Sequence, residues 1–342
     1  MTRPFNRLRR VRRLGRLSVL LTPLIVIALV GAACSSEDDT TAETTTVATT
    51  ATTTTSGPAA TTTAAPQPAS VFPLIITDSS GTVVEIAAMP ERIISFSPAA
   101  TEILFAIGAS ALVAGTDEFS DYPASALELP KLGYTAPDPE AALALEPDLI
   151  VMVTNQRESV QQFRDLGMTV LFIEEADSLQ GVLESIALFG RITGNEREAT
   201  ALVAQMSAQI DEITSVLADV EDGPLVFFEL SADLYSVGTE TFIGGMITSL
   251  KARNVAAGAE SSFPQLSSEA VIEADPGVIL LSDAKWGENA ETVGGRPGWS
   301  AMAAVVNGRI HPIDPDIVNR PGPRIVEGLR AMAEAIYPDR FQ

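Results

Sequence analysis

From about residue 72 onward the chain alternates between short, almost wholly apolar runs and longer stretches in which apolar positions recur every three or four residues. The apolar runs predict buried strands at Arg92–Phe96, Leu112–Gly115, Leu149–Val153, Val170–Ile173, Leu225–Leu230, Leu234–Val237, Val278–Leu281 and Arg309–Pro312. Leu74–Thr77 and Thr82–Ile86 flank Asp78-Ser79-Ser80-Gly81, a turn sequence that predicts a hairpin. Helical spacing follows Ser97-Pro98 as far as Ile107, where the serine can cap and the proline fits the first turn. It returns at about Glu158–Leu166 and again from about Pro323 to Ile336. The longest helical stretch runs from Leu179 to Val220, interrupted near Gly190–Asn195. Strand and helix alternating in this way predict parallel sheets covered by helices on both faces.

One segment occurs twice. Glu140-Ala141, Leu143, Pro147 and Ile150 reappear as Glu269-Ala270, Ile272, Pro276 and Ile279, each 129 positions later. Both copies read as a capped helix, a proline-marked turn and a buried strand. So long a period predicts two similar lobes with a cleft between them, and a cleft suits a small ligand. Any two helix–turn–strand units share some of this grammar, so the repeat is one argument among several. The long helical stretch falls between the two copies.

The leader changes the picture of where the protein works. Seven arginines lie between Arg3 and Arg16, ahead of the apolar run 17–30 and Gly31-Ala32-Ala33-Cys34. That order predicts a secretory signal over residues 1–33. Cys34 is the only cysteine, which excludes an intramolecular disulfide, and its setting resembles a bacterial lipobox with Gly31 in the position that usually holds leucine. Residues 34–72 are expected to form a lipid anchor followed by a disordered Thr/Ala/Pro-rich linker, because they hold too little apolar surface to offset the entropy of ordering. The chain carries 44 acids against 22 bases, seven of them in the leader, so the exported part is strongly acidic. Nucleic acid and anionic membrane surfaces both reward basic residues and are excluded as partners. The membrane is expected to be touched only through the lipid.

Four motifs then matter together: ERIISFSPAATE at 91–102, FSDYP at 119–123, EPDLI at 146–150 and NRPGPR at 319–324. In this order and spacing they resemble the substrate-binding proteins of ABC importers for cobalamin, ferric siderophores and heme, over roughly Phe72 to Pro338. The resemblance implies the class III periplasmic-binding-protein fold: α/β, two lobes, each a parallel-sheet sandwich, joined by one long rigid helix. The corresponding boundaries are 73–178 for the first lobe, 179–221 for the interlobe helical segment and 222–342 for the second. It implies a binding protein and no enzyme, a monomer with no cofactor, anchored by lipid to the outer face of the cytoplasmic membrane. The partners it implies are a permease and an ATPase.

The same resemblance assigns roles. Glu140 and Glu269, one per lobe, match glutamates that dock on the permease; unaided, an acid in a helix's first turn is explained by the helix dipole at about 0.3–1 kcal/mol. Phe119, Tyr134, Asp316 and Arg320 match ligand contacts, with Ser97, Pro98, Tyr235 and Trp286 as further candidates. For the aromatics the plainer alternative is packing, and for Arg320 a surface ion pair. Cobalamin is the first expected ligand, a ferric siderophore the second and heme the third. No cluster has metal-ligand spacing, and His311 is the only histidine. A secreted hydrolase using His311 is the alternative from another class, although no serine stands in a nucleophile-elbow context.

Overall fold

The computed structural model describes residues 72–341; the leader, Cys34 and almost all of the Thr/Ala/Pro segment lie outside the described residues. An antiparallel hairpin comes first, β1 (Leu74–Thr77) and β2 (Val83–Ile86). The first lobe continues with β3 (Ile93–Ser95), α1 (Pro98–Ala106), β4 (Val113–Thr116), α2 (Pro139–Ala144), β5 (Leu149–Met152), α3 (Val160–Asp165) and β6 (Val170–Phe172). Helices α4 (Leu179–Thr193) and α5 (Glu196–Ser215) follow. The second lobe holds β7 (Leu225–Glu229), α6 (Phe242–Ser249), β8 (Arg253–Asn254), α7 (Ser268–Ala274) and β9 (Val278–Leu281). It ends with α8 (Ala290–Gly294), α9 (Ala303–Val306), β10 (Ile310–Pro312), α10 (Pro315–Val318) and α11 (Ile325–Ile336).

Both four-stranded sheets are parallel throughout, in the orders β4-β3-β5-β6 and β10-β9-β7-β8. Counting strands by their place in each lobe, both orders are 2-1-3-4, so the topology itself is repeated. The duplicated segment keeps its geometry too. Asp138 and Ser267 cap α2 and α7 through side-chain oxygens that accept backbone N–H groups. Glu146 and Asp275, again 129 apart, adopt left-handed backbone (φ 47° and 46°) just before the matched prolines. Each unit then feeds β5 or β9, whose four residues are all buried.

Alternation along these strands sorts the core. Leu149 and Val151 face one side of the first sheet, and Ile150 and Met152 face the other with Phe96 and Phe163. In β9, Val278 and Leu280 face one side, while Ile279 and Leu281 join Phe227 and Trp299 on the other. A period of two in a sheet covered on both faces is what sends successive residues into different layers. The layer containing Leu149 and the layer containing Val278 belong to one continuous cluster, joined through α1, α4, α5 and α11.

The interlobe stretch is two helices. α4 ends at Gly194 in left-handed conformation (φ 70°), which closes the helix and lets α5 turn back against it. Gly190 sits where the two pack: a Cβ there would lie 2.4 Å from the Ala199 Cβ. α4 lies beside α1 of the first lobe, and the 20-residue α5 goes on to pack against α11 of the second. The segment expected as a strand at Leu234–Val237 is an isolated bridge, Tyr235 to Gln265, because Leu234 turns left-handed (φ 65°) and breaks the extended path. The fourth strand of that sheet is the short β8 instead. Asp78 pins the N-terminal hairpin. Its buried carboxylate accepts from Ser80 and Thr82 N–H groups and from Phe172 N at the sheet edge, and pairs with Arg164. Burial raises the pKa of this group, but a bond from the Ser80 hydroxyl, with the backbone bonds behind it, outweighs burial and holds the carboxyl below its usual range.

Candidate functional site

In an open parallel sheet the carboxyl ends of the strands form the crevice where ligands bind, above all where the strand order reverses. Here the reversals lie between β3 and β5 and between β7 and β9. The loops that leave those ends carry most of the expected site residues.

In the first lobe Asp117, fully buried just past β4, organises the next turn. Its carboxylate accepts from Phe119 N (2.8 Å), Ser120 N (3.1 Å) and Ser120 Oγ (2.6 Å). Burial raises the Asp117 pKa despite these bonds. Lys131 spends its three protons on Thr116 Oγ1, Ser120 O and Ala126 O, stitching the same loop from outside. The turn so held projects Phe119 outward, 53% exposed, with its ring edge-on to Tyr134 at 5.2 Å. The Tyr134 hydroxyl accepts from Asn155 Nδ2, and its carbonyl accepts from Gln156 Nε2. Burial, with the nearby Glu175 and Asp117 charges adding to it, holds this phenol above its usual pKa even though the bond from Asn155 pulls the other way. Ser97 and Pro98 are buried: the Ser97 hydroxyl accepts from Ala100 N, and both residues build the first turn of α1. Neither presents side-chain surface to a ligand.

In the second lobe Asp316 and Arg320 are together, but not alone. Arg320 donates to Asp121 and Asp316, with Glu102 at 3.6 Å, and its side chain is 14% exposed. Arg324 donates Nε and Nη2 to the two oxygens of Glu102 and lies 3.9 Å over the Tyr122 ring. Glu102, Asp121 and Tyr122 belong to the first lobe, so this is a brace across the lobes. Lys285 reaches Asp314 (2.7 Å) and Asp316 (2.6 Å), and beside it Trp286 is 74% exposed. Tyr235 is 42% exposed in a segment hydrogen-bonded alongside residues 262–266, which also carries the exposed Phe263.

Phe119, Tyr134, Tyr235, Trp286, Asp316 and Arg320 were expected here from the sequence; Tyr122, Phe263, Glu175 and the Glu102–Arg324 pair were not. Glu102, Tyr122 and Arg324 all stand inside the motifs quoted above, and an acid and an arginine closing two motifs was a signal open to use. A cavity of about 330 Å³ opens between the lobes, walled by Glu175, Leu230, Phe242, Phe263, Val318 and Pro321. A larger one, about 440 Å³, lies behind the brace against Leu202, Met206 and Gln209 of α5. It adjoins no strand end, so volume alone points away from the crevice.

Beneath the second lobe's crevice Arg296 binds both oxygens of buried Glu229 (2.7 and 2.6 Å) and Glu288 (2.7 Å). Asp283 is buried beside them with both carboxylate oxygens unpartnered. Burial raises the pKa of Glu229 and of Asp283. Glu140 and Glu269 are exposed in the first turns of α2 and α7. The His311 Nε2 is buried on β10 without a hydrogen-bond partner, which leaves no relay to a serine. Among the described residues no group of three or more His, Cys, Asp or Glu could hold a metal ion, and no helix is long and apolar enough to cross a membrane.

The model of the family described as "Periplasmic binding protein" matches residues 93–317. The chain is 34% identical over 286 residues to the uncharacterised ABC transporter substrate-binding lipoprotein YvrC of Bacillus subtilis, covering 81% of this chain and 90% of that one. It is 30% identical over 292 residues to the cobalamin-binding protein of Halobacterium salinarum, covering 80% and 79%. Among solved structures, the apo form of the periplasmic heme-binding protein RhuT from Roseiflexus superposes with a TM-score of 0.65 at 28% identity, covering 74% of this chain and 99% of that one. These relatives are binding proteins and not enzymes. With two parallel-sheet lobes facing one crevice, the chain belongs to the periplasmic binding protein family, as the extracytoplasmic substrate-binding component of an ABC importer.

Proposed function

We propose that the interlobe crevice captures a large metal chelate, cobalamin first and a ferric siderophore next, and delivers it to a permease that docks on Glu140 and Glu269. The observation that carries the ligand assignment is aromatic surface left bare on both lobes. Phe119 on one side, and Tyr235, Phe263 and Trp286 on the other, are each between 42% and 74% exposed. Bare aromatic rings at a crevice suit a wide, flat, amide-rimmed ligand better than a naked ion. The cobalamin-binding relative supports the same ligand class.

For docking, the support is geometric. The two glutamates occupy equivalent positions of a repeated unit, stand exposed, and have no ion-pair partner among the described residues. Cys34 supplies the lipid anchor in this proposal. Titration calorimetry with cyanocobalamin tests the ligand: saturable binding at micromolar affinity or tighter, weakened by Phe119→Ala or Trp286→Ala, is expected. No heat at two temperatures would turn the assignment to ferric siderophores. Glu140→Ala with Glu269→Ala should abolish transport and leave ligand affinity unchanged; lost affinity would overturn the docking role.

A further inference from the structure

The cations at the crevice are already committed. Lys131, though exposed, donates its ammonium protons to Thr116, Ser120 and Ala126 of its own loop, Arg296 is held by Glu229 and Glu288, and Arg320 and Arg324 are locked into the brace by Glu102, Asp121 and Asp316. Arg157 pairs with Glu174 at 2.8 Å, and Lys285 pairs with Asp314 and Asp316. The last two cations are about half exposed, and such pairs are individually weak. A ligand that drew either cation away would still face the carboxylates left behind, so the exchange yields little net attraction.

Acids remain over. Glu175 stands at the wall of the interlobe cavity with no ion-pair or hydrogen-bond partner among the described residues. It is exposed to solvent, yet enough protein surrounds it to raise its pKa, with the Asp117 charge adding to the effect. Tyr134 already accepts a hydrogen bond from Asn155, and burial raises its pKa.

We infer that this crevice selects its chelate by charge, admitting uncharged or cationic chelates and turning away anionic ones, with Glu175 as a residue that enforces the choice. The inference rests on the chelate ligand proposed above and narrows it. An uncharged corrinoid or a cationic ferric hydroxamate meets aromatic surface and a carboxylate that can accept hydrogen bonds. A ferric tricatecholate, with three negative charges, or heme, with two propionates, meets no free cation at the crevice among the described residues to compensate its desolvation.

The test compares four probes on the full-length protein: cyanocobalamin, ferrioxamine B, ferric enterobactin and heme. Cyanocobalamin or ferrioxamine B should bind at least about 100-fold more tightly than either anion, with the gap narrowing as salt is raised. Glu175→Gln should strengthen the trianion several-fold and change cyanocobalamin by a smaller factor, since it removes a charge and keeps an oxygen that can accept a hydrogen bond; equal changes for the two probes would overturn the role of Glu175. An anion that binds as tightly as the uncharged and cationic probes overturns charge selection and leaves the importer function standing. Binding of none of the four overturns both the charge selection and the chelate assignment.

Discussion

Removing Glu102 should destabilise the protein far more than removing an average acid, because of what it leaves behind. Its carboxylate is 2% exposed and receives Arg324 through two nitrogens, with the Arg320 guanidinium 3.6 Å away. Breaking one partner out of a buried ion pair costs about 3–5 kcal/mol, since the survivor stays desolvated and unpaired. Arg324 keeps the face of Tyr122, and Arg320 keeps Asp121 and Asp316, so Glu102→Leu belongs at about 3 kcal/mol. For a domain of this size that is a fall of roughly 6–12 °C in Tm. Arg324→Leu alone should cost a similar amount, because it strands Glu102. The pair Glu102→Leu with Arg324→Leu should be milder than the sum of the two by about 2 kcal/mol, since neither charge is then left alone. Thermal and denaturant unfolding of the four proteins measures this. A single substitution below about 1 kcal/mol, or strict additivity, would refute the brace as a coupled buried pair.

Three other outcomes are expected. Gly190→Ala should lower stability by about 1–3 kcal/mol, as its methyl would collide with Ala199, and Ala199→Gly should restore part of the loss; unfolding midpoints decide it. Asp283 has a raised folded-state pKa, so its contribution is complete below the unfolded value, near 4, and disappears as pH rises through the folded value. Asp283→Asn should therefore raise Tm at pH 8 more than at pH 4, which a pH series of melts will show. Asp78→Asn removes the partner of Arg164 and weakens the anchor of the hairpin, so amide exchange in Leu74–Thr77 and Val83–Ile86 should accelerate ahead of β5.

How far this could be read beforehand depends on the range of the forces involved. Leu149–Met152 and Val278–Leu281 are apolar at every position, and only a strand covered on both faces needs that, so they were plain. Ser97, Asp138 and Ser267 acted as caps because capping needs only the next three residues. α6 escaped, since Gly244-Gly245 argues against a helix until one sees Gly238 O pressed against its first turn, 2.0 Å from where a Cβ would stand. β8 is two residues long and carries no pattern at all. At the site, exposed aromatics are visible as types but not as exposures. The largest shift in interpretation concerns Arg320, foreseen as a ligand contact and placed in an interlobe ion network. Asp316 is only four residues away, but Glu102 and Asp121 come from distant stretches of chain, and local pattern cannot report a contact of that kind.

The continuous apolar layer that runs from the first sheet through α4 and α5 into the second has a consequence for how such proteins diversify. Two lobes with separate cores could be exchanged like modules, each bringing half of a new specificity. Here neither lobe has a finished outer surface on its inner side, because Leu149 and Val278 are walls of the same interior. A transplanted lobe would have to match α1, α4, α5 and α11 at once. The crevice loops face no such demand. The turn at Phe119, the segment around Phe263 and the Lys285–Trp286 corner can change without disturbing a shared wall, so new ligands are more readily acquired by rewriting the rim than by recombining halves.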